Sequence, residues 1–278
     1  MFRIDEMILC QFGLSGFIPR RCVMKRSMLL SVCLVCLVCL LPLSSVAAGL
    51  NDVIATLETP FSSETDGNGA IRDFTADFFQ ESRLVSLDRM QRGQGEVKVR
   101  FEKSFGDRVP IVKFRWEYEQ PTNQEIVSDG ETMWVYLPEN NQVIQTNIEE
   151  TGMTRAEDPM TFLTGLGNLS RDFTIRWAVP DHDAEGNPVL QLRPRRVSSL
   201  IREMQIVVDR SAVRDFQDGQ GGRRLPMLST HVTDPQGNTT IIEFSDAEVN
   251  TGVSDFDFRF IMPAGVDVVR PTGREMGF

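Results

Sequence analysis

Between Phe74 and Phe260 the chain is patterned mostly in period two. Phe74, Ala76 and Phe78 alternate with polar neighbours. Val97, Val99 and Phe101 are interleaved with Glu96, Lys98, Arg100 and Glu102, and Val112, Phe114, Trp116 and Tyr118 with Lys113, Arg115 and Glu117. Such alternation predicts strands with one dry and one wet face. Ile126-Val127 and Met133–Tyr136 flank Ser128-Asp129-Gly130, and Asp-Gly between alternating runs predicts a hairpin. Pro138–Asn141 predicts the next turn, before Val143-Ile144. Further strands are expected through Phe173, Ile175, Trp177 and Val179, through Val189–Leu192, and through Met204, Ile206 and Val208. A last hairpin should pair Met227–Thr233 with Thr239–Phe244 across Asp234–Asn238, followed by Phe256, Phe258 and Phe260.

Helical spacing is rarer. Leu50–Thr59 puts Val53, Ile54 and Leu57 on one face, with Asn51 or Asp52 as N-cap and Pro60 as the stop. Met160, Leu163, Leu166 and Leu169 fall near helical spacing after Pro159, which predicts one short helix within residues 155–172. Ser62–Gly69 reads as a polar loop, Asp215–Arg224 as a mobile loop and Gly93-Gln94-Gly95 as a turn. Ten or eleven strands with short turns and no alternation of strand and helix predict a mainly β fold built on an antiparallel sheet. A sheet of that size curls or closes. The economical picture is a strongly curved, incomplete antiparallel β-barrel with short α-helices as a lid over its open side.

The first 48 residues belong to a different category. Lys25-Arg26, the uncharged apolar run Met28–Leu41 and the small residues up to Ala48 are the three parts of a cleaved secretory signal peptide, with Met24 the favoured start. The apolar run is shorter than the ~20 residues of a membrane-spanning helix. All five cysteines (Cys10, Cys22, Cys33, Cys36 and Cys39) lie in this segment, and neither Cys36 nor Cys39 follows the small residue that a lipid-modified cysteine requires. Residues 49–278 are then expected to form a single thiol-free domain. Without the five basic and two acidic residues of the first 48, 24 basic and 37 acidic side chains remain, a net charge of −13. That excess argues against nucleic acid and against a protein that rests on anionic lipid surfaces.

Little in the chain carries chemistry. There are two histidines, His182 and His231, and neither belongs to a zinc-binding or catalytic pattern. Gly-x-Ser-x-Gly is absent, and Gly93-x-Gly95 precedes a strand rather than a helix. Asp181-His182-Asp183 is the one cluster that could hold a cation, and its turn-like context makes solvation the default. No catalytic residue, metal site or cofactor is assigned, and an enzyme is not expected. The aromatics remain: residues 113–136 hold two of the three tryptophans and both tyrosines. Their alternation alone fits either a filled β core or the lining of a hollow for an apolar ligand.

Order and spacing narrow this. Phe114-Arg115-Trp116-Glu117-Tyr118-x-x-Pro121, Ile126-Val127-Ser128-Asp129-Gly130 and Trp134-x-Tyr136 resemble the periplasmic outer-membrane lipoprotein carriers, the LolA family. So do Phe74-Thr75-Ala76-Asp77-Phe78-x-Gln80, Gly93-x-Gly95, Pro159-Met160-x-Phe162-Leu163 and Phe258-x-Phe260-x-x-Pro263-x-Gly265-Val266. The resemblance covers most of residues 49–278. It implies a monomeric periplasmic chaperone that takes the acyl chains of lipoproteins from an inner-membrane ABC transporter and passes them to an outer-membrane acceptor. Val97, Val99, Phe114, Trp116, Trp134 and Tyr136 would line the lipid cavity, with Met160, Phe162 and Leu163 covering it from the lid. Family members carry an Arg-Pro pair before the F-x-W strand, whose arginine latches the lid. Here Val109 separates Arg108 from Pro110, so Arg108 is the first candidate for the latch and Arg100 the second. A sensor domain of the same fold, acting on a membrane partner, is the alternative; it usually precedes a further domain, and this chain ends soon after Val266.

Overall fold

The computed structural model describes residues 48–103, 111–148 and 161–270, with the side chains of residues 161–164 excepted. The strands are β1 (Asp73–Leu84), β2 (Arg89–Glu102), β3 (Ile111–Gln120), β4 (Glu125–Ser128), β5 (Thr132–Leu137) and β6 (Gln142–Asn147). After them come β7 (Phe173–His182), β8 (Pro188–Pro194), β9 (Glu203–Val208), β10 (Met227–Thr233), β11 (Thr239–Val249) and β12 (Asp267–Val269). Among the described residues three short α-helices accompany them: α1 (Leu50–Glu58), α2 (Leu169–Asp172) and α3 (Arg210–Gln217).

All twelve strands join one sheet in the order β12-β6-β5-β4-β3-β2-β1-β11-β10-β9-β8-β7, with β12 and β7 as its two open ends. Each pairing is antiparallel except β12 against β6, which is parallel. The mainly β, unclosed architecture expected from the alternation is present, with one strand more than the upper expectation. The extra strand is β12. Phe256 and Phe258, which follow the last hairpin, lie in a 3-10 turn, Asp255–Phe258.

Register explains which side chains share a face. Ala76 pairs with Val97, Val97 with Trp116, Trp116 with Ile126, Ile126 with Val135 and Val135 with Ile144. The adjacent row is Phe74, Val99, Phe114, Ser128 and Met133. Directly paired residues point to the same side of a sheet, so these rows form one continuous apolar face. Phe74, Val97, Val99 and Trp116 are fully buried on it. The other half of the sheet continues the same core with Leu190, Leu192, Met204, Ile206, Val232 and Ile242.

Helices cover this face. Val53 and Leu57 of α1, Phe61 just beyond it, Leu166 and Leu169 around α2, and Val213 of α3 belong to the same core cluster. Helix α1 starts at Gly49, whose backbone N–H donates to the Asp52 carboxylate at 3.2 Å, so Asp52 serves the helix start from within its first turn. Pro60 does not stop the chain's turning; it sits in a 3-10 turn, Thr59–Phe61, that prolongs the helix. Residues 161–168 are 3-10 and lead into α2, where a single helix was expected. The segment read as a mobile loop, Asp215–Arg224, begins inside α3. Asp209 caps that helix by accepting from Ser211 N at 2.7 Å, and Ala212 and Val213 are buried beneath it.

Gly93 and Gly95 lie within β2 rather than in a turn. A Cβ on Gly93 would stand 2.9 Å from the Tyr118 ring, and one on Gly95 only 1.8 Å from the Glu117 carbonyl oxygen. The pairing of β2 with β3 shifts register between Gln94 and Gly95, which brings the two backbones into this contact. Gly95→Ala is expected to destabilise the domain by about 2–3 kcal/mol, the cost of forcing atoms into a packed site. The urea unfolding midpoint measures it, and an unchanged midpoint would show that the backbone contact relaxes freely.

Candidate functional site

The helix-covered face carries an aromatic wall at the junction of β1, β2, β3 and β11. Phe78 meets Trp116 edge-on with ring centroids 4.8 Å apart, and meets Tyr118 in the same manner at 4.9 Å. Phe244 lies 6.1 Å from Trp116 on the other side. The two β2 glycines make this possible, because Phe78 and Tyr118 both pair with Gly95 and close over the space its missing side chain leaves. Tyr118 Oη donates to Gln80 Oε1 at 2.7 Å, which satisfies its polar end. Trp116 differs. Its ring is fully buried, and its Nε1–H has no acceptor. An unmet buried donor costs roughly 1–3 kcal/mol, so the centre of the wall is a place where a carbonyl oxygen would be stabilised.

Two separate pieces of chain lie over the wall and touch each other. Residues 161–168 cross the turn after α1 so closely that a Cβ on Gly167 would stand 2.8 Å from the Phe61 carbonyl oxygen. Ser170 N donates to the Glu58 carboxylate at 2.5 Å. Phe61 packs on Phe101 at 4.9 Å, which in turn stacks on Phe74 at 6.2 Å. Helix α3 braces α1 from the side: Gln217 Nε2 donates to Asp52 Oδ2 at 3.2 Å. Gly222 reaches the Gly67–Gly69 turn, where a Cβ on it would lie 2.5 Å from the Gly69 carbonyl oxygen. The polar insertions at 62–69 and 215–224, read separately in the sequence, therefore meet beside α1.

The outer face is covered too, by residues 253–269. Arg115 donates to the carbonyl oxygens of Asp257 and Arg259 and to the carboxylates of Glu117 and Glu125. Lys113 bonds Asp255 at 2.8 Å and Glu102 at 2.8 Å. Phe258 is fully buried, and Trp134 stacks on Phe260 at 5.8 Å with rings 15° from parallel.

Of the expected cavity residues, Val97, Val99, Phe114 and Trp116 are brought together on the helix-covered face. Trp134 and Tyr136 are not. Val127 pairs with both Arg115 and Trp134, so Trp134 stands on the outer face with Arg115, and the inward positions of β5 belong to Met133 and Val135. Alternation misassigned this strand because the C-terminal segment dries its outer face, leaving β5 apolar on both sides. Arg100 is also corrected. It lies on the outer face, bonded to Glu102 at 2.7 Å, Asp255 at 3.3 Å and the Val253 carbonyl at 3.4 Å, and it anchors the C-terminal segment rather than a lid. Arg108 and Met160 lie outside the described residues, as do the side chains of Phe162 and Leu163. Phe61, Phe101 and Phe244 were not singled out for the wall; their apolar character was visible, but their neighbours depend on pairings distant in sequence.

The acidic turn around His182 closes on itself. Asp181 pairs with His182 at 3.1 Å, and Asp183 accepts from the backbone N–H groups of Glu185 and Asn187. Among the described residues no group of three His, Cys, Asp or Glu side chains is placed to hold a metal ion.

An aromatic wall on an unclosed sheet, roofed by separate helical pieces, defines a binding domain. Residues 70–261 match the family described as outer membrane lipoprotein carrier protein LolA. The chain belongs to that family. Among its relatives are outer-membrane lipoprotein carrier proteins from Methylobacillus flagellatus, 25% identical over 78% of this chain and 95% of that one, and from Chromohalobacter salexigens, 26% identical over 79% and 95%. A third, from Dechloromonas aromatica, is 30% identical over 56% of this chain and 66% of that one.

The outer-face ion pairs predict how the C-terminal segment responds to pH. The hydrogen bond from Lys113, with Arg100 adding to it, holds the Asp255 carboxyl below its ordinary 3.8. Burial disfavours the Lys113 ammonium, but hydrogen bonds to Asp255 and Glu102 outweigh it and hold Lys113 above 10.5. A depressed carboxyl stabilises above its unfolded value and loses that contribution as pH falls through the folded one. A raised amine stabilises below its unfolded value and loses the contribution as pH climbs through the folded one. Hydrogen exchange of residues 255–269 should stay slow relative to a free peptide between the ordinary values of 3.8 and 10.5, with protection falling as pH drops below the first or rises above the second. Arg115→Met should raise that exchange at least about tenfold at neutral pH, as expected when one group supplying several charge-assisted bonds is removed. Unchanged exchange would mean that Arg115 is dispensable and that Lys113, Arg100, Phe258 and β12 suffice to hold the segment.

Proposed function

We propose that this chain is a periplasmic carrier that holds the acyl chains of lipoproteins against the wall formed by Phe78, Val97, Val99, Phe114, Trp116 and Phe244. It accepts them from an inner-membrane ABC transporter and delivers them to an outer-membrane acceptor, acting by binding and not by chemistry. Family membership supports the cargo class. The observation that carries the reading to particular residues is the apolar wall centred on the fully buried Trp116 ring, beneath a roof drawn from separate pieces of chain. Each buried methylene contributes roughly 0.8 kcal/mol, so an acyl chain of ordinary length is strongly driven out of water onto such a surface. Phe78, Val97, Val99, Phe114 and Trp116 are buried beneath the cover and Phe244 only partly, so binding along the whole wall requires α1 and residues 161–172 to lift. The chain then replaces their Val53, Leu57, Leu166 and Leu169 as the cover, and release is favourable because the roof can return. The unmet Trp116 N–H fits an acyl carbonyl at the head of the chain.

Depletion in the native host followed by membrane fractionation tests the pathway: outer-membrane lipoproteins should accumulate in the inner membrane, and normal sorting would overturn the carrier reading. In vitro, a fluorescent fatty acid should bind the wild-type chain and change tryptophan emission. Trp116→Phe keeps an aromatic ring, though a smaller one, and removes the donor; it should weaken binding of an ester-bearing lipid about tenfold relative to its effect on a lipid without a carbonyl, equivalent to one net hydrogen bond of ~1.4 kcal/mol. Equal affinities for the two proteins would remove Trp116 from cargo recognition.

A further inference from the structure

The β1–β2 hairpin ends in a feature that neither the fold nor the lipid wall uses. From Arg89 to Gly93, β2 pairs with β1 on one side, while β3 joins it only from Gln94 onward. At ~3.3 Å per residue the hairpin extends about 15 Å past the end of β3, while on its other side β11 accompanies β1 as far as Arg83, opposite Thr239. Its turn is ordered: Asp88 N donates to the Val85 carbonyl at 3.3 Å, Asp88 adopts φ 45°, and Val85 N donates to Asn238 Oδ1 at 2.9 Å. Where a turn would ordinarily carry small polar residues, this one presents Val85, Leu87 and, beside them, Met90, which are 50%, 66% and 51% exposed. Arg83, Arg89 and Arg92 surround them and are exposed. Glu81 pairs with Arg92 at 2.8 Å.

We propose that this tip is a membrane-touching element: Val85, Leu87 and Met90 enter the interfacial layer of a bilayer while the arginines meet anionic lipid phosphates. The charge on the tip is opposite to that of the molecule. Residues 81–92 carry three arginines against Glu81 and Asp88, net +1, in a chain of net −10. Overall acidity argues against a face that lies on anionic lipid, but not against a projecting tip. The screening length is about 8 Å at physiological ionic strength, so a bilayer meeting the hairpin end responds to the tip's own charges and to Asp234 of the adjoining turn, and not to the acidity of the rest of the molecule. A small convex end with flexible aliphatic side chains also suits a fluid lipid surface, which closes around it. A stable protein interface would need roughly 800 Å² on each partner, more than a single turn supplies. Contact of this kind is shallow and reversible, since stable anchoring takes more than one weak signal.

Flotation of the full-length chain with vesicles tests it. With phosphatidylethanolamine–phosphatidylglycerol vesicles the wild type should float, with the bound fraction falling at least about fivefold on phosphatidylcholine alone or in high salt. Leu87→Asp, and independently Arg89→Glu, should reduce flotation on the anionic vesicles at least about fivefold, both sites being exposed and free of core contacts. The same two variants should bind the fluorescent fatty acid as the wild type does. Wild-type protein that fails to float, or variants that float as well as it does, would overturn the proposal. Variants that lose a protein partner while no form floats would make the tip a protein interface instead. Flotation that follows this pattern while the wild type binds no fatty acid would leave the tip standing and remove the carrier reading.

Discussion

An unclosed sheet cannot bury its own inner face. In a closed barrel the far wall supplies the cover, but here the sheet ends at β7 and β12, and the row through Ala76, Val97, Trp116, Ile126 and Val135 needs a cover from elsewhere. Helix α1, the 3-10 segment with α2, and α3 provide it from three separate stretches of chain. The rest of the molecule follows from that requirement. The roof is made of short helices because each contributes only a few apolar side chains. It is discontinuous because the sheet's connections emerge at different places. A discontinuous roof on an apolar face can be exchanged for another apolar cover of similar area, which is what holding a lipid chain requires.

The strand pattern of β1 to β3 was legible from the sequence because one side of those strands meets charge. Lys98, Arg100, Lys113 and Arg115 mark the outer face unambiguously, so Val97, Val99, Phe114 and Trp116 were assigned to the inner one. In β5 that contrast disappears. Trp134 and Tyr136 are large aromatics where a wet face would carry charge, and Phe260 stacks on Trp134. Period-two reading needs a wet side, and a strand dry on both sides has no phase. The glycines of β2 show a different limit. Gly93 and Gly95 punctuate the sequence as a turn would, but they are small because Tyr118 and the β3 backbone approach them, and such a contact leaves no trace in neighbouring residues.

Helix α3 escaped notice for a third reason. Its residues, Arg210–Gln217, have only Ala212 and Val213 buried, and they run into the glycine-rich stretch from Asp218 to Gly222 that dominates the local composition. The helix is stable in context because Asp209 caps it and because its far end rests on α1. The two polar insertions are thus one structural unit formed from distant parts of the sequence, and that relation is set by β9, β10 and α1, which carry both to the same place.

The network around Arg115 makes the two sides of the sheet mechanically unequal. One guanidinium ties β3 to β4 through Glu125 and at the same time to two backbone carbonyls of the covering segment. On the other side, the roof is joined by the Gly167–Phe61 crossing, the bonds from Ser170 to Glu58 and from Gln217 to Asp52, and apolar packing, with no guanidinium network among these contacts. The curvature of the wall is therefore fixed from the outer side, by contacts in which no residue of the roof takes part.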